Sequence, residues 1–172
     1  MTILAIMRHA KSDWGQPDLA DFDRPLNTRG REAAKNVGLE LRRRQVPFDQ
    51  VIASPAVRVR ETLERLQEGY GQEFAVTFEP TIYDASRATL FELVRNIPAD
   101  VHAPLMVGHN PGFHQLALEL TAPDQSGLRD KLAENLPTAA LAMIALPAVR
   151  WDEVQQGSGT VRELIMPREL EN

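Results

Sequence analysis

Ile3-Leu4-Ala5-Ile6-Met7-Arg8-His9-Ala10 is the stretch from which the fold can be read. Five apolar residues run directly into an arginine and a histidine, and a polar segment, Lys11-Ser12-Asp13-Trp14-Gly15, follows. A short apolar run bounded by turn residues reads as a strand buried on both faces, as in a parallel sheet. In open α/β sheets chemistry sits just beyond the carboxyl ends of the strands. Arg8 and His9 therefore stand where a catalytic pair would stand.

Outward from this strand, residues 11–26 read as irregular, and the segment 21–26 is expected to fold back over the sheet edge. A helix begins near Asn27 or Thr28, either of which can cap it. Ala34, Val37, Gly38 and Leu41 share its buried face, and Arg42-Arg43-Arg44 closes it as a solvated basic end. Residues 48–53 read as a second strand. Ser54-Pro55 follows as an N-cap with proline at the first helical position, opening a helix to about Tyr70 that Gly71 stops. A strand over 74–78, a turn over 80–84, a helix over 87–97 and a strand over 105–108 come next. That strand runs into His109-Asn110-Pro111-Gly112 and another helix. Residues 122–137 give no clear pattern. Residues 138–146 and 160–166 read as two strands paired with each other. Alternating strands and helices predict an α/β three-layer sandwich with a mostly parallel central sheet, in one domain over residues 1–172.

The totals narrow the function. The 172 residues carry a net charge of −5 and no cysteine. The charge disfavours a general nucleic-acid surface. Without cysteine there is neither a disulfide framework nor thiol catalysis, which fits a reducing compartment. The N-terminal apolar run is too short for a signal peptide, and no stretch approaches the roughly 20 apolar residues that span a bilayer. A cytoplasmic monomer without membrane contact is the expectation.

If the strands ending at Arg8-His9, Ser54 and His109 are parallel neighbours, their polar groups converge on one rim. Two histidines among arginines suit a phosphoryl group. Guanidinium forks match phosphate oxygens, and one histidine can attack phosphorus while the other charges hold its oxygens. The same arginines would repel a metal cation, so neither metal nor cofactor is expected. Arg58 and Arg60 both lie in the first turns of their helix, where an anion would be welcome, and geometry alone does not choose between them.

Four ordered stretches carry a resemblance: Met7-Arg8-His9-Ala10-Lys11-Ser12, Arg24-Pro25-Leu26-Asn27-Thr28-Arg29-Gly30, Ser54-Pro55-Ala56-Val57-Arg58-Val59-Arg60-Glu61-Thr62 and Val107-Gly108-His109-Asn110-Pro111. Together they resemble the histidine phosphatase superfamily, which contains the phosphoglycerate mutases. The Arg-His-Ala form and the short chain are most similar to its phosphohistidine phosphatase SixA branch. The resemblance implies a phosphoglycerate mutase-like fold. It makes His9 the nucleophile that becomes transiently phosphorylated, Arg8 and Arg58 the phosphate ligands, and His109 the residue completing the pocket. It also prefers Arg58 to Arg60, which becomes a surface charge.

Lys11 and Ser12 could add to the phosphate rim, and Asp23-Arg24 could brace it from behind. No glutamate matches the acid that phosphomonoesterases of this kind use to protonate the leaving oxygen. Asp84, in Tyr83-Asp84-Ala85-Ser86, is the nearest candidate, with a turn or cap role as its alternative. A missing acid is tolerable when the leaving group is an imidazole. The expected function is thus a metal-independent phosphatase acting on phosphohistidine of a signalling or phosphotransfer protein. The alternatives are a phosphatase for small phosphoesters and a noncatalytic phosphoprotein-binding module.

Overall fold

The structure, a computed structural model, describes residues 1–148 and 150–171. Six strands form one sheet: β1 (Thr2–Arg8), β2 (Gln50–Ala53), β3 (Val76–Phe78), β4 (Pro104–Gly108), β5 (Leu141–Leu146) and β6 (Thr160–Ile165). Five helices accompany them: α1 (Thr28–Arg43), α2 (Val57–Tyr70), α3 (Arg87–Arg95), α4 (Gly112–Leu120) and α5 (Leu128–Glu134). The strand order is β3-β2-β4-β1-β5-β6. The pairings β1–β4, β4–β2 and β2–β3 are parallel, and β5 is antiparallel to both of its neighbours. The fold is the α/β sandwich with a mostly parallel sheet that the alternation of elements implies, and its final two strands pair as expected.

Strand periodicity builds the three layers. Successive side chains of a strand point to opposite faces. Leu4 and Ile6 enter the core beneath α3, α4 and α5, while Ala5 and Met7 enter the core beneath α1 and α2. All four are buried, which explains why the middle of β1 is apolar.

Between α1 and α2 the backbones nearly touch. A Cβ at Gly38 would lie 2.2 Å from the Leu66 carbonyl oxygen, and one at Gly69 would lie 2.1 Å from that of Lys35. Only glycine permits this approach, and it fixes α2, which carries Arg58, against α1.

Several boundaries depart from the sequence reading. Asn27 is the cap of α1, its side chain accepting from the Gly30 N–H at 2.8 Å. Ser54 is not the cap of α2, and Pro55 is not its first residue. The helix starts at Val57 with Ala56 as cap, and the Ser54 hydroxyl, ahead of it, accepts from the Ala56 N–H at 3.3 Å and from His109. Residues 122–137, unassigned from sequence, contain α5. β5 starts at Leu141 rather than 138, because Ala139 adopts a positive φ of 62° and turns the chain into the site.

Candidate active site

The strand order places β2, β4 and β1 side by side and parallel, so their carboxyl ends share one rim. Ser54 follows β2, His109 follows β4 and His9 follows β1. The expected convergence is therefore present.

His9 is buried, with its backbone N–H donating to the Gly108 carbonyl at 3.0 Å. Its ring Nδ1 lies 2.7 Å from the Ala10 carbonyl oxygen. A carbonyl only accepts, so Nδ1 carries the proton and Nε2 keeps its lone pair. Burial, helped by His109, Arg58 and Arg8, pushes the His9 pKa down to about 3. The ring is neutral at physiological pH and presents a free nitrogen.

His109 packs beside it, with ring centroids 5.3 Å apart. Its Nδ1 lies 3.3 Å from Arg58 Nη2, and its Nε2 lies 2.8 Å from Ser54 Oγ. A guanidinium only donates, so Nδ1 accepts and Nε2–H donates to Ser54. Burial and the Arg58 charge lower the His109 pKa to about 4.

Arg58 is buried and Arg60 is exposed, so the structure separates the two arginines. Arg58 donates from Nη1 to the Asp21 backbone oxygen at 2.7 Å and from Nη2 to Asp21 Oδ2 at 3.1 Å. Arg60 turns outward, bonding the Pro55 carbonyl and lying 4.0 Å over the Phe78 ring. Arg8 donates to the Leu136 carbonyl at 3.3 Å, an oxygen it shares with Asn110 Nδ2. The Nε atoms of both Arg8 and Arg58 are buried without a partner among the described residues. Buried unpaired donors are costly, and guanidinium groups beside a histidine pair suit an anion with several oxygens.

Behind this pocket stands a network that sequence reasoning only partly found. Asp21 accepts from Arg58, from Arg24 and from the Tyr83 hydroxyl, which lies 2.5 Å away. The Tyr83 hydrogen bond, then Arg24 and Arg58, hold the Asp21 carboxyl well below the usual range. Of the pair Asp23-Arg24, the bracing residue is Arg24, and its acidic partner is Asp21. Thr62 ties the loop after His9 to α2, accepting from the Ala10 N–H at 3.0 Å and donating to the Arg58 carbonyl at 2.7 Å. The signal for Thr62 lay in its spacing, four residues after Arg58 and so one helical turn along the same face. Asp21 gave none, being one of several aspartates in an irregular loop.

The remaining candidates are less central. Ser12 is buried, and its Oγ accepts from Arg24 Nη1 at 2.9 Å, so it braces the network. Lys11 is exposed at the edge of a neighbouring groove. Asp84 is exposed in a turn with a φ of 56°, just before the α3 cap Ser86, and its carboxylate makes no hydrogen bond among the described residues. His114 serves structure, its Nε2 lying 2.6 Å from the Leu132 carbonyl.

Comparison with known proteins agrees with this geometry. Residues 4–84 match the model of the histidine phosphatase superfamily (branch 1). An uncharacterized protein of Mycobacterium tuberculosis is 32% identical over 165 residues, covering 94% of this chain and 100% of that protein. An uncharacterized chloroplastic protein of Arabidopsis thaliana is 31% identical, covering 91% of this chain and 72% of its own. Among solved structures, a protein of Nakamurella multipartitia assigned as phosphohistidine phosphatase SixA superposes with a TM-score of 0.82 at 27% identity, covering 96% of each chain. The protein histidine phosphatase SixA complexed with tungstate superposes with a TM-score of 0.79 at 20% identity, covering 98% of this chain and 99% of its own. No helix among the described residues is long and apolar enough to cross a membrane. The pocket of His9, Arg8, Arg58 and His109, the sheet that assembles it and these matches place the chain in the histidine phosphatase superfamily, in its SixA branch.

Proposed function

We propose that this chain is a phosphohistidine phosphatase acting on a phosphorylated protein, with His9 as the residue that carries the phosphoryl group. The observation that supports this most is the His9 tautomer: Nδ1–H is held by the Ala10 carbonyl, so Nε2 is left as a nucleophile among the guanidinium groups. Arg8 and Arg58 bind the phosphoryl oxygens, and His109 shapes the pocket between Arg58 and Ser54. Positive charge around the oxygens supplies what phosphoryl transfer chiefly needs, which is positioning and electrostatic stabilisation. No step asks for a metal or cofactor.

In the first step His9 Nε2 attacks phosphorus, and the bond from phosphorus to the substrate imidazole nitrogen breaks. A substrate ring protonated on its other nitrogen departs as neutral imidazole. His9 then holds the phosphoryl group on Nε2 while Nδ1–H, still donating to Ala10, carries the positive charge. The exchange is symmetric and delivers no proton. Water next displaces Nε2 from phosphorus, releasing inorganic phosphate and neutral His9.

A phosphoester would instead need an acid for its alkoxide. The carboxylate inside the cluster, Asp21, is held ionised and cannot give a proton. Asp84 is the remaining candidate, and its exposed position favours an imidazole leaving group over an alkoxide.

The test measures phosphate release from a phosphohistidine protein and from alkyl and aryl phosphates, using wild type and Asp84→Asn. Wild type is expected to favour the phosphohistidine protein, and Asp84→Asn to keep that activity within about twofold. Equal loss on every substrate would contradict the leaving-group argument.

A further inference from the structure

Along the same rim, beside the catalytic pocket, runs an open groove of about 340 Å³ that the reaction above does not use. Its walls continue the catalytic walls. Lys11 follows His9 by two residues, and Pro137 and Thr138 follow Leu136, whose carbonyl holds Arg8. The far wall is the turn after β6, residues 167–170. Because β6 runs parallel to β1 with β5 between them, this wall lies at the same rim, two strand spacings or about 10 Å from His9. A small phosphoester seated on His9 would not reach it.

The charges are uneven. The wall formed by the His9 loop and α1 contributes Lys11 and Arg29 and no acid. Arg168 adds a third cation from the far wall. None of the three forms an ion pair among the described residues, whereas Lys131, also in the groove, is neutralised by Glu169. Glu134 and Glu171 line only the walls given by α5 and the C-terminal turn. Met166 and Pro137 make the surface between them apolar.

We infer that this groove binds an acidic segment of the phosphohistidine-bearing protein, with Arg29 and Arg168 reading a carboxylate about 10 Å from the phosphoryl group. That distance is about three residues of extended chain or about two turns of helix. The inference rests on the phosphatase reading, and its test separates the two.

Turnover is measured on a phosphohistidine peptide flanked by glutamates, the same peptide flanked by glutamines, and para-nitrophenyl phosphate. Wild type is expected to show a KM about three- to tenfold lower for the glutamate peptide, the size of a few partly exposed ion pairs. This preference weakens as salt is raised. The Arg29→Glu/Arg168→Glu variant should lose the preference while kcat/KM for para-nitrophenyl phosphate stays within about twofold. Equal KM values in wild type, or a preference that survives in the variant, would overturn the assignment. If wild type turns over none of the three substrates, the phosphatase reading fails instead. The groove is then read from the Kd values of the unphosphorylated peptides, where the same glutamate preference is expected and its absence overturns the proposal.

Discussion

His9 and His109 are held neutral by burial and by the arginines around them, and this has a consequence for stability. Their pKa values in the folded chain are about 3 and about 4, below the ordinary value of about 6.5. Below pH 6.5 the unfolded chain takes up protons that the folded chain refuses. Their contribution is complete above about pH 6.5 and is lost as pH falls toward 4. Urea unfolding at pH 7 and pH 5 should differ by roughly 2–4 kcal/mol, with the lower stability at pH 5. His9→Asn should reduce that difference by about half. Asp21 and Glu40 are depressed carboxylates that lose their contribution at lower pH, so the window above pH 5 reports the histidines. A difference near zero would contradict the assignment of both rings as neutral. At this scale the pocket was legible in sequence, since Arg8, His9, Arg58 and His109 all meet. Asp21 and Tyr83 were not, because they meet Arg58 through a loop whose path has no periodic signal.

The elements carry these residues through a few tight contacts. α2 holds both Arg58 and Thr62, and its position depends on the close approach of Gly38 and Gly69 to the facing helix. Gly38→Ala places a methyl 2.2 Å from the Leu66 carbonyl oxygen, so α1 and α2 must separate. The variant should lose roughly 1–3 kcal/mol in urea unfolding, the range for overpacking a filled contact. An unchanged midpoint would mean that the helices do not pack this closely. Helix caps were readable where the side chain serves only the helix, as at Asn27 and Gly71. Ser54 had the sequence of a cap, but His109, which follows the strand two further along the chain, also bonds its hydroxyl. Local pattern cannot register that contact.

Across the whole molecule, function follows from strand order. β1 enters between β4 and β5, which sets His9 next to His109 and leaves β6 to extend the rim. The alternation of elements in sequence foretold a largely parallel sheet. It did not give the order of strands, which depends on crossovers, nor the place of α5 beside the groove. The central claim is that His9 takes the phosphoryl group from a phosphohistidine protein, and a rapid-quench experiment with a ³²P-labelled phosphohistidine protein tests it directly. Wild type should show a transient, acid-labile label on the peptide containing His9, and His9→Ala should show neither label nor phosphate release. Phosphate release by His9→Ala at the wild-type rate, or label on any other residue, would contradict the account.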